Sequence, residues 1–143
     1  MPKVNNKYFN HLKVHTQYSI CEGAIKIDEL KDYCKNNKIP ALGMSDTSNL
    51  CASLEFSENI SKSGTQPIIG TQIIFNINGE SGLLPLISKS ENGYKRIVEL
   101  SSLSYLLNDD NSKPYCKFEE LSKKPDGIII LSGGINGLIG NLF

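Results

Sequence analysis

The stretch Pro40-Ala-Leu-Gly-Met-Ser-Asp-Thr-Ser-Asn-Leu50 decides how the fold is interpreted. Its first half, residues 41–45, is a short apolar run that is typical of a buried strand. Its second half, residues 46–49, contains only side chains that commonly cap helices. The stretch therefore predicts a strand that runs directly into a helix, which is the repeating unit of an α/β fold.

Helices are predicted on both sides of this strand. Before it, Ile27, Leu30 and Cys34 recur at one helical face, and Pro40 prevents that helix from continuing. After it, Leu50 and Leu54 begin a second helix, with Ile60 further along the same face and Gly64 at its end. A longer helix is predicted over residues 91–107, with one stripe formed by Tyr94, Ile97, Val98 and Tyr105.

Further strands alternate with these helices. They are predicted at residues 8–14, 67–77, 83–88 and 127–131, with a helical piece after residue 134. Asn78-Gly79 is a strong signal for a tight turn, residues 108–114 form a loop, and Pro85 weakens the strand that contains it. Strands that alternate with helices at this spacing predict βαβ units and a mostly parallel sheet.

Length and charge limit the class of protein. The chain has 143 residues, 15 basic and 15 acidic side chains, and hence no formal net charge. We find no apolar run near the roughly 20 residues of a membrane span and no apolar signal sequence, so a cytoplasmic location is expected. Closed βα barrels usually exceed about 200 residues, so we expect a small open sheet or an incomplete barrel. The chain stops inside an apolar segment, which favours a fragment.

The four cysteines show no metal-binding spacing. Cys21, Cys34, Cys51 and Cys116 form no Cys-x-x-Cys pair. In a chain without a secretion signal, we expect reduced and mostly buried thiols.

Polar side chains follow two predicted strands. His11 and His15 lie at the end of the first, about 13 Å apart if the chain stays extended, so they share a metal only if the chain turns. Asp46 follows the second, either as a helix cap or as a carboxylate aimed into a pocket beside His15.

Two groups of glycines are also candidate functional signals. Gly70 marks a possible close approach of two backbones. The glycines at 133, 134, 137 and 140 lack phosphate-loop spacing, and capping or tight packing explains them equally well.

Several motifs together resemble a known family. They are the runs at 11–23, 40–50, 62–71, 86–94 and 127–134, in that order. The chain, over about residues 8–140, is similar to the N-terminal PHP (polymerase and histidinol phosphatase) domain of bacterial DNA polymerase III alpha subunits.

The resemblance implies an α/β fold that is the first half, or slightly more, of a distorted (β/α)7 barrel. Residues 1–143 would then be the N-terminal part of the PHP domain. The rest of the barrel and the palm, thumb and fingers of a DNA-directed DNA polymerase would lie outside this chain. The catalytic aspartates and Mg²⁺ belong to the palm, so no catalytic residue and no cofactor are expected here.

The resemblance also implies a degenerate metal site. Metal-active members carry His-x-His, and here Lys13 replaces the first histidine while His15 retains the second. Glu22 stands where an aspartate is usual, Thr47 and Leu83 replace histidines, and Gln72 replaces a glutamate. The vestigial positions are His11, Lys13, His15, Glu22, Asp46, Thr47, Gln72 and Leu83.

These replacements remove most metal donors. An ammonium group has no lone pair and repels a cation, so no bound metal is expected. We hypothesise that Lys13 substitutes for the lost metal by pairing with Glu22 or Asp46.

Three functions remain open at this point. The resemblance favours a structural module that stabilises a replicative polymerase and binds its proofreading exonuclease and other replicase subunits. DNA would then be contacted only through the rest of the parent chain, and no membrane would be involved. The alternatives are a metal-dependent phosphoesterase or 3′→5′ exonuclease, and an unrelated small α/β binding domain.

Overall fold

The computed structural model describes residues 9–108, 113–135 and 137–142. Residue 8 of the first predicted strand, residues 109–112 of the predicted loop, and residues 136 and 143 of the last predicted helix lie outside these ranges. The helices are α1 Ile27–Asn37, α2 Ser53–Lys62, α3 Glu91–Leu106, α4 Phe118–Lys123 and α5 Leu138–Asn141. The strands are β1 Ala41–Gly43, β2 Asp46–Thr47, β3 Gln66–Ile68, β4 Gly70–Ile77, β5 Glu80–Ser88, β6 Cys116–Lys117 and β7 Ile128–Ile130.

The described strands form two sheets, a smaller parallel one and a larger one of mixed direction. The smaller sheet pairs β1 with β3 in parallel. The larger has the order β2-β4-β5-β7, and β6 also pairs with β4. Strands β2 and β6 run parallel to β4, whereas β4–β5 and β5–β7 are antiparallel. Three of the five pairings between described strands are thus parallel, as expected, whereas the longest pairing, β4–β5, is antiparallel. The α/β class is confirmed.

The antiparallel core of the larger sheet follows from its turn. Asn78 and Gly79 both have positive φ, at 52° and 92°, which a two-residue hairpin turn of type I′ requires. Such a turn can only join antiparallel neighbours. The predicted tight turn is confirmed, and it fixes the eight-pair ladder from Gly70↔Ile87 to Ile77↔Glu80. Pro85 lies inside this ladder.

Residues 67–77, predicted as one strand, form two strands that separate at Ile69. Strand β3 pairs with β1, and β4 leaves for the larger sheet. Gly70 starts β4 in close contact with two other backbone segments: a Cβ there would lie 2.5 Å from the carbonyl oxygen of Leu86 in β5 and 3.0 Å from that of Met44, between β1 and β2. The predicted close approach at Gly70 is confirmed.

The predicted first strand is reduced to a single bridge in the described residues. Val14 bridges Met44 in parallel. The Val14 N–H donates to the Gly43 carbonyl (3.1 Å), and the Ser45 N–H donates to the Val14 carbonyl (2.8 Å). Residues 9–13 are not a strand, but the chain still runs beside β1 and brings the segment after Val14 to the end of β1 and β2.

Two apolar cores hold the helices on the sheets. The first lies between α1, α2 and the smaller sheet and contains Ile27, Leu30, Cys34, Ile39, Leu42, Met44, Ala52, Phe56 and Ile60. The second lies between α3, α4 and the larger sheet and contains Ile73, Phe75, Leu84, Leu86, Ile97, Leu100, Cys116, Leu121 and Leu138. The predicted face of α1 is confirmed, since Ile27, Leu30 and Cys34 are its buried residues.

The predicted faces of α2 and α3 need correction. Helix α2 begins at Ser53 with Ala52 at its N-cap, so residues 46–49 do not cap it and Leu54 is 72% exposed. In α3, Ile97 is buried as predicted, but Val98 and Tyr105 are exposed. Helix α2 starts later than predicted, at Ser53, and a shift of a few residues rotates the buried face. Helix α3 starts at Glu91 as predicted, but its buried face is formed by Gly93, Arg96, Ile97, Leu100 and Ser104.

Half of the cysteines match the expectation for buried thiols. All four are free; Cys34 and Cys116 are buried, whereas Cys21 and Cys51 are exposed. Burial raises the pKa of the Cys34 and Cys116 thiols.

We expect Phe56→Ala to lower the free energy of unfolding by about 3–5 kcal/mol, because it opens a cavity in a closed core. Phe56 is fully buried, whereas Leu54, two residues away on the same helix, is exposed. The matched control Leu54→Ala should therefore stay within about 0.5 kcal/mol of wild type. Urea denaturation measures the free energy of unfolding of both variants. Equal losses for the two variants would contradict the observed orientation of α2.

Candidate functional site

A buried carboxylate lies at the centre of the candidate site. Asp46, at the start of β2, is 0% exposed. Its carboxylate accepts hydrogen bonds from the Thr16 N–H (2.6 Å), the Thr16 hydroxyl (2.7 Å) and the Ser19 hydroxyl (2.8 Å). A buried charge is costly unless it is hydrogen-bonded, and here both carboxylate oxygens have donors.

The segment after Val14 turns sharply to supply these donors. The Ser19 N–H donates to the Thr16 carbonyl, and the Gly23 N–H donates to the Ser19 carbonyl. Thr16 then bridges Ile25 on the returning chain. Only glycine fits at position 23, because a Cβ there would lie 2.0 Å from the Thr16 carbonyl oxygen. The sequence thus forms a compact loop, residues 15–25, over the end of β2.

A second layer of polar side chains lies beside Asp46. The Gln72 side-chain amide donates to the Thr47 hydroxyl (2.7 Å), which in turn donates to the Glu22 carboxylate. The Thr47 N–H donates to the Ser19 hydroxyl (3.0 Å). His15 Nδ1 lies 3.9 Å from a Glu22 carboxylate oxygen and 3.4 Å from the Ser19 hydroxyl.

These contacts join into one hydrogen-bonded cluster. We call it the Asp46 network, and its members are His15, Thr16, Ser19, Glu22, Asp46, Thr47 and Gln72. Five of the eight positions named from the sequence are therefore together in space. Two roles were open for Asp46. The helix cap is wrong, because Ala52 is the N-cap of α2. The other role placed the carboxylate beside His15, and the two residues do lie in the same cluster.

Three of the named positions do not join the network. Lys13 is exposed, and the four ion pairs between described residues do not include it. Its hypothesised pairing with Glu22 or Asp46 is wrong, because uncharged donors already satisfy Asp46. His11 is exposed and packs edge-on against Phe9, with ring centroids 4.9 Å apart. Leu83 pairs with Ile74, two positions along the ladder from Gln72.

Sequence reasoning missed the donors themselves. Thr16 and Ser19 are 0% and 1% exposed. In the sequence they are two hydroxyl residues in a polar run, a pattern that does not by itself indicate burial. The available signal was their position between His15 and Gly23, in a segment that must turn after a strand.

Further contacts tie the loop to α2. The Tyr18 hydroxyl donates to the Glu55 carboxylate (2.6 Å), and this bond to a carboxylate raises the pKa of Tyr18. The Asn49 side-chain amide donates to the Tyr18 carbonyl (3.0 Å). The loop is therefore held from both sides, by β2 and by α2.

The donor set of this cluster does not fit a metal centre. In the part of the chain that the structure describes, no group of three or more His, Cys, Asp or Glu side chains is placed to hold a metal ion. Asp46 uses both oxygens within the protein, and Thr47 and Gln72 offer only neutral oxygens. Divalent metals prefer several imidazoles, thiolates or carboxylates that converge on one point. Only His15 and Glu22 remain as such donors.

The fold is shared with solved structures of hydrolases. A protein described as a metal-dependent phosphoesterase from Bifidobacterium adolescentis aligns with 66% of this chain and 32% of its own, at 15% identity and a TM-score of 0.52. An amidohydrolase from Chromobacterium violaceum, with bound sulfate and no metal, aligns with 65% of this chain at 13% identity and a TM-score of 0.53. At such low identity the likeness concerns the fold alone. The chain is thus an α/β domain that shares its fold with about a third of the first of these structures.

The chain belongs to the PHP domain family, whose model matches residues 11–143. The resemblance drawn from the motifs is confirmed by proteins named DNA polymerase III subunit alpha. That of Caulobacter vibrioides is 35% identical over all of this chain, that of Rickettsia prowazekii 39% over 92%, and that of Aquifex aeolicus 35% over 93%. The chain spans only 11–13% of the length of these relatives.

The described helices show no candidate membrane span. None of those within residues 9–108, 113–135 and 137–142 is both long and apolar enough to cross a bilayer.

We expect Asp46→Asn to lower the free energy of unfolding by about 2–3 kcal/mol, since hydrogen bonds to a charged group contribute more than neutral ones. The new amide NH₂ also faces a donor, from either Thr16 or Ser19. The matched control is Asp32→Asn on the exposed face of α1, which should change stability by less than about 0.5 kcal/mol. Urea denaturation of both variants is the measurement. An Asp46 variant as stable as the Asp32 control would show that the network contributes nothing.

Proposed function

We propose that this chain is the PHP portion of a DNA polymerase III alpha subunit. The parent protein would be a DNA-directed DNA polymerase of bacterial chromosomal replication, located in the cytoplasm. The similarity to proteins of that name over 92–100% of the chain supports this assignment. Residues 1–143 would form the first part of the PHP domain. The remainder of the parent chain would complete the barrel and supply the Mg²⁺-dependent palm and the contacts to DNA.

Within that protein, we propose a structural and interaction role for this domain. The observation that carries the proposal is the Asp46 network, in which the Thr16 backbone N–H and the Thr16 and Ser19 hydroxyls satisfy the buried carboxylate at one of the family's metal-site positions. Such a network stabilises a loop and a sheet edge, and it leaves His15 and Glu22 as the remaining imidazole and carboxylate donors for a metal. The absence of formal net charge also suits a domain that supports a DNA enzyme without itself gripping DNA.

The partner of this role is proposed to be the separate proofreading exonuclease subunit of the replicase. A polymerase whose PHP domain lacks a nuclease site needs its editing activity from elsewhere. Other replicase subunits would assemble on the parent chain. No membrane contact is proposed.

Primer extension on the full-length protein distinguishes the proposal from the phosphoesterase alternative. With Mg²⁺ and nucleotides, we expect extension of a primed template. With Mg²⁺, Mn²⁺ or Zn²⁺ and no nucleotides, we expect no removal of a mismatched 3′ end until purified exonuclease subunit is added. Removal of the mismatched 3′ end by the protein alone would overturn the proposal that the metal site is degenerate. Failure to extend the primer would overturn the polymerase assignment.

Cross-linking followed by mass spectrometry tests the partner. An amine-reactive reagent is applied to the full-length protein mixed with its own exonuclease subunit. We expect cross-links between that subunit and lysines of this domain, such as the exposed Lys13, Lys35 and Lys62. A mixture with an unrelated nuclease of similar size is the control. Cross-links confined to other parts of the parent chain would contradict docking on the PHP domain.

A further inference from the structure

A mostly apolar groove lies beside α1 and shares no residue with the Asp46 network. We call it the α1 groove. Its volume is about 380 Å³, and it is lined by Val14 and Leu42 at the smaller sheet, Leu30 and Tyr33 from α1, and Ile25 just before α1. Ile25 and Tyr33 are 43% and 50% exposed. Apolar side chains that stay exposed around a groove indicate a surface that another segment covers.

The sheet edge beside the α1 groove has free hydrogen-bonding groups. Val14 turns its backbone towards β1, where it donates to the Gly43 carbonyl (3.1 Å) and accepts from the Ser45 N–H (2.8 Å). Its neighbours along an extended chain turn their backbone groups to the other side. There, the Lys13 N–H and carbonyl and the His15 N–H have no backbone partner among the described residues. Such an edge is a template for a further strand.

The groove and the free edge together fit one kind of structural unit. The smaller sheet is parallel, and the segment at Val14 joins it in the same direction. Helices α1 and α2 both pack on the apolar core of this sheet. A parallel strand is normally connected through a helix that packs on the sheet. A helix that accompanies a new strand at the free edge, on the face covered by α1, would lie next to α1 and over the groove.

The rest of the parent chain is the favoured source of this unit. The chain spans only 11–13% of the length of the DNA polymerase III alpha subunits that it matches. It aligns with only 32% of the phosphoesterase whose fold it shares. A segment of the same polypeptide is present at a much higher effective concentration than a free partner. It therefore competes best for an apolar groove beside an open sheet edge.

We propose that a strand and a helix from the rest of the parent chain cover this surface. The strand pairs with residues 13–15, and the helix buries Ile25 and Tyr33 in the α1 groove. Glu29 also lines the groove and takes part in none of the four ion pairs between described residues. A helix with an apolar stripe and a flanking lysine or arginine therefore fits the groove. The inference rests on the proposed function, which makes this chain part of a longer protein.

Cysteine footprinting of the full-length protein tests the α1 groove. Tyr33→Cys and Ile25→Cys each place a thiol in the groove, and the matched control Asp32→Cys places one at the neighbouring exposed position of α1. After treatment with N-ethylmaleimide, mass spectrometry locates each modified thiol. We expect the two groove thiols to react about tenfold more slowly than the Asp32→Cys thiol, because a buried thiol reacts only after local opening. Equal rates at all three positions would overturn the proposal.

The native cysteines show that each variant is folded. Cys34 is buried and should stay unmodified, whereas the exposed Cys21 and Cys51 should react. Ile25→Cys and Tyr33→Cys lie on different segments, so either one gives the result if the other exposes Cys34.

Three further measurements distinguish the occupants. Protection of the groove thiols that appears only after purified exonuclease subunit is added would assign the groove to that partner and overturn the proposal. Protection that is lost on dilution would assign it to a second copy and also overturn it. Hydrogen exchange tests the strand: we expect slow exchange of the Lys13 and His15 amides in the full-length protein, and rapid exchange of both would overturn the pairing.

Primer extension by the same variants keeps this test separate from the proposed function. Groove thiols that react freely in a protein that extends primers would overturn the α1 groove proposal alone. Failure of the unmodified full-length protein to extend a primer would instead overturn the polymerase assignment on which the proposal rests.

Discussion

The carboxylate of Asp46 holds the N-terminal segment of this domain on its sheet. Three donors from Thr16 and Ser19 converge on it, at 2.6–2.8 Å. The loop of residues 15–25 follows from those bonds, and so do the positions of His15 and Glu22. Because a buried charge without donors is costly, this one group constrains every element around the candidate site.

The same bonds explain why the site does not suit a metal. A carboxylate offers about four lone-pair sites, and Asp46 already accepts three hydrogen bonds from the protein, which leaves little capacity for a cation. Thr47 and Gln72 extend the pattern, since the Gln72 amide donates to Thr47 and Thr47 donates to Glu22. The polar side chains at the PHP metal-site positions therefore bind one another. This supports the proposal that the family's site is a structural element in this domain.

The sequence predicted the parts of this fold that depend on local chemistry. Helix α1 and its buried face follow from Ile27, Leu30 and Cys34, and the β4–β5 hairpin follows from Asn78-Gly79. The break at Ile69 is not predictable from local chemistry, since residues 67–77 form one run rich in β-branched side chains and divide only because β3 and β4 pair with different strands. The roles of Thr16 and Ser19 were also missed, because a hydroxyl becomes a ligand of Asp46 only once the chain has turned. The pairing assigned to Lys13 was wrong for the same reason: distant donors had already satisfied the carboxylate.

Anomalous diffraction from crystals of the full-length protein soaked in manganese tests the central claim most directly. The account predicts no manganese peak between His15, Glu22 and Asp46, with Thr16 and Ser19 still within hydrogen-bonding distance of the Asp46 carboxylate. A peak coordinated by these side chains, with the Thr16 and Ser19 bonds broken, would contradict it.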